Sequence, residues 1–311
     1  MAILLATNFD EAEQAQWLTL LHAELPDETL VVDLASDDAA AIDVAIVANP
    51  RPGALRGLPR LALIQSLWAG VERLIADAQI PADVPLARMV DPAMNEAMAQ
   101  TALWAVLALQ RDFFDYAAQQ HERRWRQHPQ RRADEIVVAV LGLGQMGRAV
   151  AARLAANGYR VSGWSTRPAT LPQVRTGHGD AGLAEVLGSS DVVINLLPLT
   201  DATRGLFDAR CFARMRPGTS FVNLARGAHV VEADLLDALD RGRLHRAVLD
   251  VFATEPLPAD HPFWVHPRIT VLPHTAAQTD ARTAAAIAAR NVHALRAGRP
   301  IANLVDRTRG Y

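Results

Sequence analysis

The chain has 311 residues, of which half are hydrophobic and 21% are charged, and its formal net charge at pH 7 is −3. A chain of this length can hold two domains. Its small net charge argues against nucleic-acid binding, and its apolar runs are too short for a membrane helix. The chain has no lysine, which excludes lysine Schiff-base chemistry. Cys211 is the only cysteine, which excludes an internal disulfide and predicts a reducing, cytoplasmic location.

The first part of the chain alternates short apolar runs with longer segments rich in alanine and leucine, a rhythm typical of βα units around a parallel sheet. The N-terminal run lacks a basic flank and predicts a strand, not a signal peptide. The predicted strands are 2–6, 29–33, 44–48, 61–66 and 86–90. A long amphipathic helix is predicted over 95–120. We interpret the basic stretch 121–132 that follows as a solvated connector or a subunit contact.

A second series of alternating elements begins at Ile136. The predicted strands are 136–141, 160–164, 192–197, 220–224, 247–251 and 269–272. An alanine-rich helix is predicted over 276–296. The two series together predict an α/β protein with doubly wound parallel sheets.

A glycine-rich turn follows the first strand of the second series. It matches G-x-G-x-x-G, and it lies between an apolar strand and a predicted helix, the context that a dinucleotide fingerprint requires. The free amides and the positive end of the helix favour a pyrophosphate there. The predicted cofactor contacts are Gly142, Gly144, Gln145, Met146 and Gly147.

The next strand ends in Ser165-Thr166-Arg167. A site selective for NAD places Asp or Glu at this position to bind the ribose 2′-hydroxyl, and no acid is present. Two hydroxyls followed by a guanidinium instead suit a 2′-phosphate. We therefore predict that NADPH is preferred over NADH, with Arg167 as the main determinant.

Three polar residues follow predicted strands of this second series: Arg226, Glu255 and His274. Doubly wound sheets bind their ligands at this edge. Together the three provide a guanidinium to hold a carboxylate and an acid–base pair. The neighbouring His261 and His266 lie beside prolines in a predicted loop without a metal-ligand pattern, so we expect no metal site, and we expect Cys211 to pack in the core.

At these positions the chain resembles a known family. The segments NLARG (223–227), LDVFATEPLP (249–258) and LPHTA (272–276) are similar to signature segments of the D-isomer-specific 2-hydroxyacid dehydrogenases, and 195–200 resembles their loop beside the nicotinamide. Segments 67–71, 164–165 and 305–311 resemble the glyoxylate/hydroxypyruvate reductase A branch, which is typically NADPH-dependent.

The resemblance implies a Rossmann-type cofactor domain, residues 96–274, inserted into a flavodoxin-like substrate domain, residues 1–95 with 275–311, and a homodimer. It implies reduction of a small 2-oxo acid, with Arg226 holding the carboxylate, His274 moving the proton and Glu255 raising the pKa of His274. Further implied cofactor contacts are Leu197, Pro198, Leu199, Ala225 and Asp250. Implied substrate contacts, beside Arg226 and His274, are Trp68, Ala69 and Gly70.

Two other functions remain open from the sequence. One is a D-2-hydroxyacid dehydrogenase acting on a bulkier 2-oxo acid, since one methylene changes discrimination by only about 1–3 kcal/mol. The other is an interaction protein that senses dinucleotides without useful turnover. A formate dehydrogenase is disfavoured by Glu255, because those enzymes carry glutamine as the partner of their histidine.

Overall fold

A computed structural model describes residues 1–32 and 39–310. Asp33, the predicted end of the second strand, and Tyr311 lie outside the described residues. The chain divides into two compact units, one formed by Met1–Ala93 with Thr279–Tyr311 and the other by Met94–Gln278. Among the described helices, none is long and apolar enough to cross a bilayer.

The strands are β1 Ala2–Thr7, β2 Thr29–Val31, β3 Ile42–Ala48, β4 Leu63–Ser66, β5 Leu86–Ala87, β6 Val137–Leu141, β7 Arg160–Ser165, β8 Val174–His178, β9 Val192–Asn195, β10 Thr219–Asn223, β11 Leu244–Leu249 and β12 Ile269–Val271. The helices are α1 Glu11–Glu24, α2 Glu72–Ala76, α3 Pro92–Gln110, α4 Phe113–His121, α5 Gln145–Ala156, α6 Gly179–Ser189, α7 Ala209–Arg214, α8 Glu232–Asp240 and α9 Ala281–Arg296.

The first unit is built on a parallel sheet in the order β2-β1-β3-β4-β5, the flavodoxin-like arrangement. Both chain ends belong to this unit, because side chains of α9 form hydrogen bonds and ion pairs with the N-terminal part of the chain. The buried Asn291 donates its side-chain amide to Gln65 Oε1 at 2.6 Å. Arg296 pairs with both Glu28 and Asp43, which share its Nη2. These contacts make residues far apart in the chain one folding unit.

The second unit holds a seven-stranded parallel sheet in the order β12-β11-β10-β9-β6-β7-β8. Its inner strand β6 is apolar throughout because both faces are covered by helices. Val138 and Val140 pack into the core on one face, and Ala139 and Leu141 into the core on the other. The chain reverses direction across the sheet between β6 and β9, the switch point where such sheets bind ligands.

The predicted α/β class with parallel sheets is confirmed. Several strand ends differ from the predicted bounds by a few residues, and the two long helices and one strand differ more. The single helix predicted over 95–120 is two helices, because Asp112 takes a left-handed backbone, φ 55°, between α3 and α4. The last helix begins at Ala281, not at 276, since the side chain of Asp280 caps it. Strand β8 was not predicted, because its polar residues give no apolar run at this edge of the sheet.

Candidate active site

The glycine turn after β6 is shaped by two close approaches. Gly142 has φ +100°, and a Cβ there would lie 2.5 Å from the carbonyl oxygen of Leu196. A Cβ on Gly147 would lie 1.8 Å from the carbonyl oxygen of Gly142. On Gly144, in contrast, a Cβ would meet no described atom within 4 Å. The turn is therefore tight where it packs and open in front of the N-terminus of α5, the space and the partial positive charge that a pyrophosphate requires.

The loop after β7 carries the residues predicted to select the cofactor. Ser165 donates its hydroxyl to the carbonyl of Arg167 at 2.6 Å and so closes a turn that leaves Thr166 and Arg167 exposed. Arg148 ties this loop to the glycine turn, since its Nε donates to the carbonyl of Leu143 at 3.1 Å and its Nη1 reaches the carbonyl of Thr170 at 3.4 Å. An exposed arginine just after β7 fits the phosphate of NADPH better than the hydroxyl of NADH.

His274 and Glu255 form the central pair of the site. Nδ1 of His274 lies 2.7 Å from Oε2 of Glu255, and the other carboxylate oxygen accepts the backbone N–H of Phe252 at 2.9 Å. The His274 backbone is left-handed, φ 52°, and its N–H donates to the carbonyl of Asp250 at 2.9 Å. The side chain is half exposed, and Nε2 is the ring nitrogen that the bond to Glu255 leaves for a ligand.

Asp250 organises the backbone around this histidine. The residue is 1% exposed, and its carboxylate accepts the N–H of Thr275 at 2.7 Å and of Ala276 at 3.0 Å. Burial raises the pKa of Asp250, and these two amides oppose the rise. The described contacts thus place Asp250 beneath the His274 loop. Its contact with the nicotinamide stays a prediction.

The pKa directions of the pair agree with each other. The hydrogen bond to Glu255 raises the pKa of His274, although burial and the charge of Arg226 act against the rise. Burial tends to raise the pKa of Glu255, but the hydrogen bonds from His274 and from the Phe252 N–H outweigh it, so the pKa is lowered. Both directions favour imidazolium beside carboxylate. The charge of Arg226 acts on both groups, so all three residues belong to one electrostatic site.

The turn after β10 brings Arg226 to this pair. Its Nη1 donates to the carbonyl of Ala225 at 2.7 Å, and its own carbonyl accepts the side-chain amide of Asn223 at 3.0 Å. A Cβ on Gly227 would lie 1.8 Å from the carbonyl carbon of Phe252. Only glycine therefore lets the Arg226 turn press against the backbone that holds Glu255.

For several residues predicted to contact the cofactor or the substrate, the structure shows the position but does not test the contact. Leu197 and Ala225 are buried and their N–H groups donate to asparagine side chains, while Pro198 and Leu199 lie in the loop after β9. Gln145 and Met146 open α5. In the first unit, Trp68, Ala69 and Gly70 follow β4, and Trp68 Nε1 is buried without a hydrogen-bond partner among the described residues. Their roles stay predictions.

Other singled-out residues have structural surroundings. Burial raises the pKa of Cys211 to about 12, which makes it unreactive as a nucleophile. His261 and His266 bond to different carboxylates, Glu232 at 3.3 Å and Asp240 at 3.2 Å.

Two residues behind the Arg226 turn were not predicted from the sequence as part of the site. Asn223 and His229 are both fully buried and bond to Asn195, at 3.0 and 2.9 Å. The available signal was an asparagine as the last residue of each of two adjacent apolar strands, β9 and β10.

Residues 103–276 match the family described as D-isomer specific 2-hydroxyacid dehydrogenase, NAD binding domain. Glyoxylate/hydroxypyruvate reductase A of Serratia proteamaculans is 39% identical over 316 aligned residues covering all of both chains. The same-named protein of Photorhabdus laumondii is 39% identical over 304, covering 96% of this chain and 97% of its own.

Two solved structures are similar over the whole chain. The D-isomer specific 2-hydroxyacid dehydrogenase of Xanthobacter autotrophicus Py2, in complex with NADPH and MES, has a TM-score of 0.94 and 39% identity, and covers 100% of this chain and 99% of its own. The NADPH-dependent glyoxylate/hydroxypyruvate reductase of Sinorhizobium meliloti, with NADP and sulfate, has a TM-score of 0.93, 33% identity and the same coverage.

Proposed function

The chain belongs to the D-isomer specific 2-hydroxyacid dehydrogenase family, and from this premise we propose that it uses NADPH to reduce glyoxylate to glycolate and hydroxypyruvate to D-glycerate. The observation that carries the proposal is the His274–Glu255 pair at 2.7 Å, within the field of Arg226 and at the same sheet edge as the glycine turn. A carboxylate holder, a proton donor and a dinucleotide turn are the parts that this reduction requires.

The second unit acts as the cofactor domain in this proposal, and the first as the substrate domain. The amides after Gly144 would hold the pyrophosphate, and Ser165, Thr166 and Arg167 the 2′-phosphate. When bound, NADPH supplies the hydride that reduces the carbonyl carbon.

His274 is the general acid. Because Nδ1 bonds to Glu255, Nε2 is left to carry the proton that passes to the carbonyl oxygen. Glu255 keeps the ring oriented and charged. Arg226 binds the substrate carboxylate with its planar fork and draws electron density from the adjacent carbonyl.

A panel of 2-oxo acids tests this proposal. Purified protein is mixed with NADPH and glyoxylate, hydroxypyruvate or bulkier 2-oxo acids, and the loss of absorbance at 340 nm is followed. We expect the highest kcat/KM with the two small acids, and D-glycerate by chiral separation. A higher kcat/KM with a bulkier acid would contradict the proposed substrates and favour a dehydrogenase of bulkier 2-oxo acids. Binding of NADPH without turnover of any acid would favour the dinucleotide-sensing function.

Replacing Arg167 with alanine should reduce the NADPH preference. The exposed guanidinium lies just after β7, where it can pair with a 2′-phosphate. NADH has no 2′-phosphate, so its binding does not depend on this contact. We expect kcat/KM with NADPH to fall by about tenfold or more, since a charge-assisted hydrogen bond contributes about 1.5–3 kcal/mol. The value with NADH should stay unchanged. An unaltered NADPH:NADH ratio contradicts the role of Arg167.

A homodimer is supported by large apolar side chains that are exposed on the second unit. Trp104, Leu107, Phe113 and Trp125 are exposed on α3, α4 and the stretch after them, and Trp125 is 96% exposed. Exposed aromatic groups of this size are typical of subunit contacts. Sedimentation velocity should give twice the chain mass, and Trp125→Ser should shift it toward the monomer; a monomeric wild type contradicts the dimer. We expect neither nucleic acid nor membrane as partners, and a cytoplasmic location.

A further inference from the structure

Three fully buried polar side chains lie behind the Arg226 turn. Asn195 and Asn223 sit opposite each other at the carboxyl ends of the paired strands β9 and β10, and His229 ends the short turn after Arg226. Each of the three is 0% exposed. Polar groups this deep in a core are retained only with hydrogen-bond partners, so their bonds determine what they do.

Backbone groups fix the direction of the bonds that join these three side chains. The N–H of Leu197 donates to Oδ1 of Asn195 at 3.1 Å, so Nδ2 points at Asn223 Oδ1, 3.0 Å away, and at His229 Nδ1, 2.9 Å away. Because an amide nitrogen only donates, Nδ1 of His229 must accept. Nε2 then carries the hydrogen and donates to the carbonyl of Pro198 at 3.3 Å.

The other end of the cluster holds the Arg226 turn. Oδ1 of Asn223 also accepts the N–H of Ala225 at 3.2 Å, and its Nδ2 donates to the carbonyl of Arg226 at 3.0 Å. The cluster therefore connects two loops, Leu197–Pro198 on one side and Ala225–Arg226 on the other. His229 lies three residues after Arg226 and bonds to the carbonyl of Pro198, so it joins the second loop to the first.

The Leu197–Pro198 loop also borders the cofactor turn. Leu196 donates its N–H to the carbonyl of Leu141 at 2.8 Å. Its own carbonyl oxygen lies so close to Gly142 that a Cβ there would be only 2.5 Å away. The loop thus lies at the switch point between β6 and β9, where the dinucleotide is expected. The distance between this loop and Arg226 sets where a carboxylate held by Arg226 lies relative to the cofactor.

We propose that His229 is a positioning residue that holds the Pro198 loop and the Arg226 turn at the spacing that hydride transfer requires. This inference rests on the proposed function. His229→Leu has a similar volume but removes both the acceptor and the donor. Asn195 Nδ2 then keeps its bond to Asn223 and loses its second acceptor, and the Pro198 carbonyl keeps its bond from the Thr203 hydroxyl, at 2.7 Å, and loses the one from the Arg226 side. His229→Gln restores one acceptor and one donor at a similar length, whereas His229→Asn has both groups on a side chain too short to span them.

The test compares steady-state kinetics of the wild type with His229→Leu, His229→Asn and His229→Gln. We expect kcat/KM for the 2-oxo acid to fall by about 10²-fold in the leucine and asparagine variants, the cost of displacing a reacting group by about 1 Å. The glutamine variant should recover most of it. The Kd for NADPH and the pH dependence set by His274 should not change. His266→Leu and His266→Gln, at a histidine bonded to Asp240, are the controls and should behave as wild type.

Three results overturn the proposal: wild-type kcat/KM in His229→Leu, equal losses in the asparagine and glutamine variants, or a fall in NADPH affinity parallel to the fall in turnover. If His229→Leu does not fold, the asparagine and glutamine variants alone decide. If the wild type turns over no 2-oxo acid, the proposed function fails by itself. Amide hydrogen exchange then tests the spacing, because Leu197 and Ala225 should exchange faster in the asparagine than in the glutamine variant.

Discussion

Replacing Arg226 with alanine should lower kcat/KM for 2-oxo acids by about 10²–10³-fold, the usual cost of removing one donor that stabilises developing charge. The loss should divide between the two constants. KM rises because the guanidinium binds the carboxylate before reaction, and kcat falls because the same group polarises the carbonyl during it. Steady-state kinetics at saturating NADPH measures both.

Binding of the cofactor separates this role from a structural one. Arg226 follows β10, whereas the glycine turn follows β6, so the Kd for NADPH in Arg226→Ala, measured by fluorescence, should stay near the wild-type value. Arg226→Lys keeps the charge without the planar fork and should recover only part of the activity. Arg241→Ala removes an exposed arginine paired with Asp237 and serves as the matched control. Near-normal turnover of Arg226→Ala would remove this residue from the site.

The fold was predictable from the sequence where burial forces a pattern. Strand β6 is covered on both faces, so its run of apolar residues predicts it directly. Strand β8 lies at the sheet edge and its Arg175 and Thr176 need no burial, so no apolar run marks it. The break at Asp112 was equally hidden, because a single residue with positive φ leaves the helical periodicity on both sides intact.

The candidate site was predictable because parallel strands end at one edge. Arg226, Glu255 and His274 each follow a strand of the second series, so topology alone gathers them there. What the sequence did not predict is what holds them: the close approach of Gly227 to the Phe252 backbone and the bonds of His229. Such contacts depend on atomic spacing between segments, which residue order does not contain.

Replacing Glu255 with glutamine should move the pH dependence of both reaction directions toward lower pH. Reduction requires protonated His274, so kcat/KM is constant below the pKa of this residue and falls as pH rises through it. The hydrogen bond to Glu255 raises that pKa, and glutamine removes the negative charge while keeping the shape. The alkaline limb of reduction therefore shifts to lower pH in Glu255→Gln.

Oxidation of the 2-hydroxy acid gives the reciprocal test. It requires neutral His274, so its kcat/KM rises with pH through the same pKa, and this limb too should move to lower pH. His274→Gln is the control, since it should remove both limbs and reduce kcat by about 10²–10⁴-fold, the usual contribution of a general acid. Limbs unmoved in Glu255→Gln would mean that the 2.7 Å contact orients the ring without setting its charge. Limbs that move in opposite directions would mean that different groups titrate in reduction and oxidation, so that His274 is not the shared acid and base.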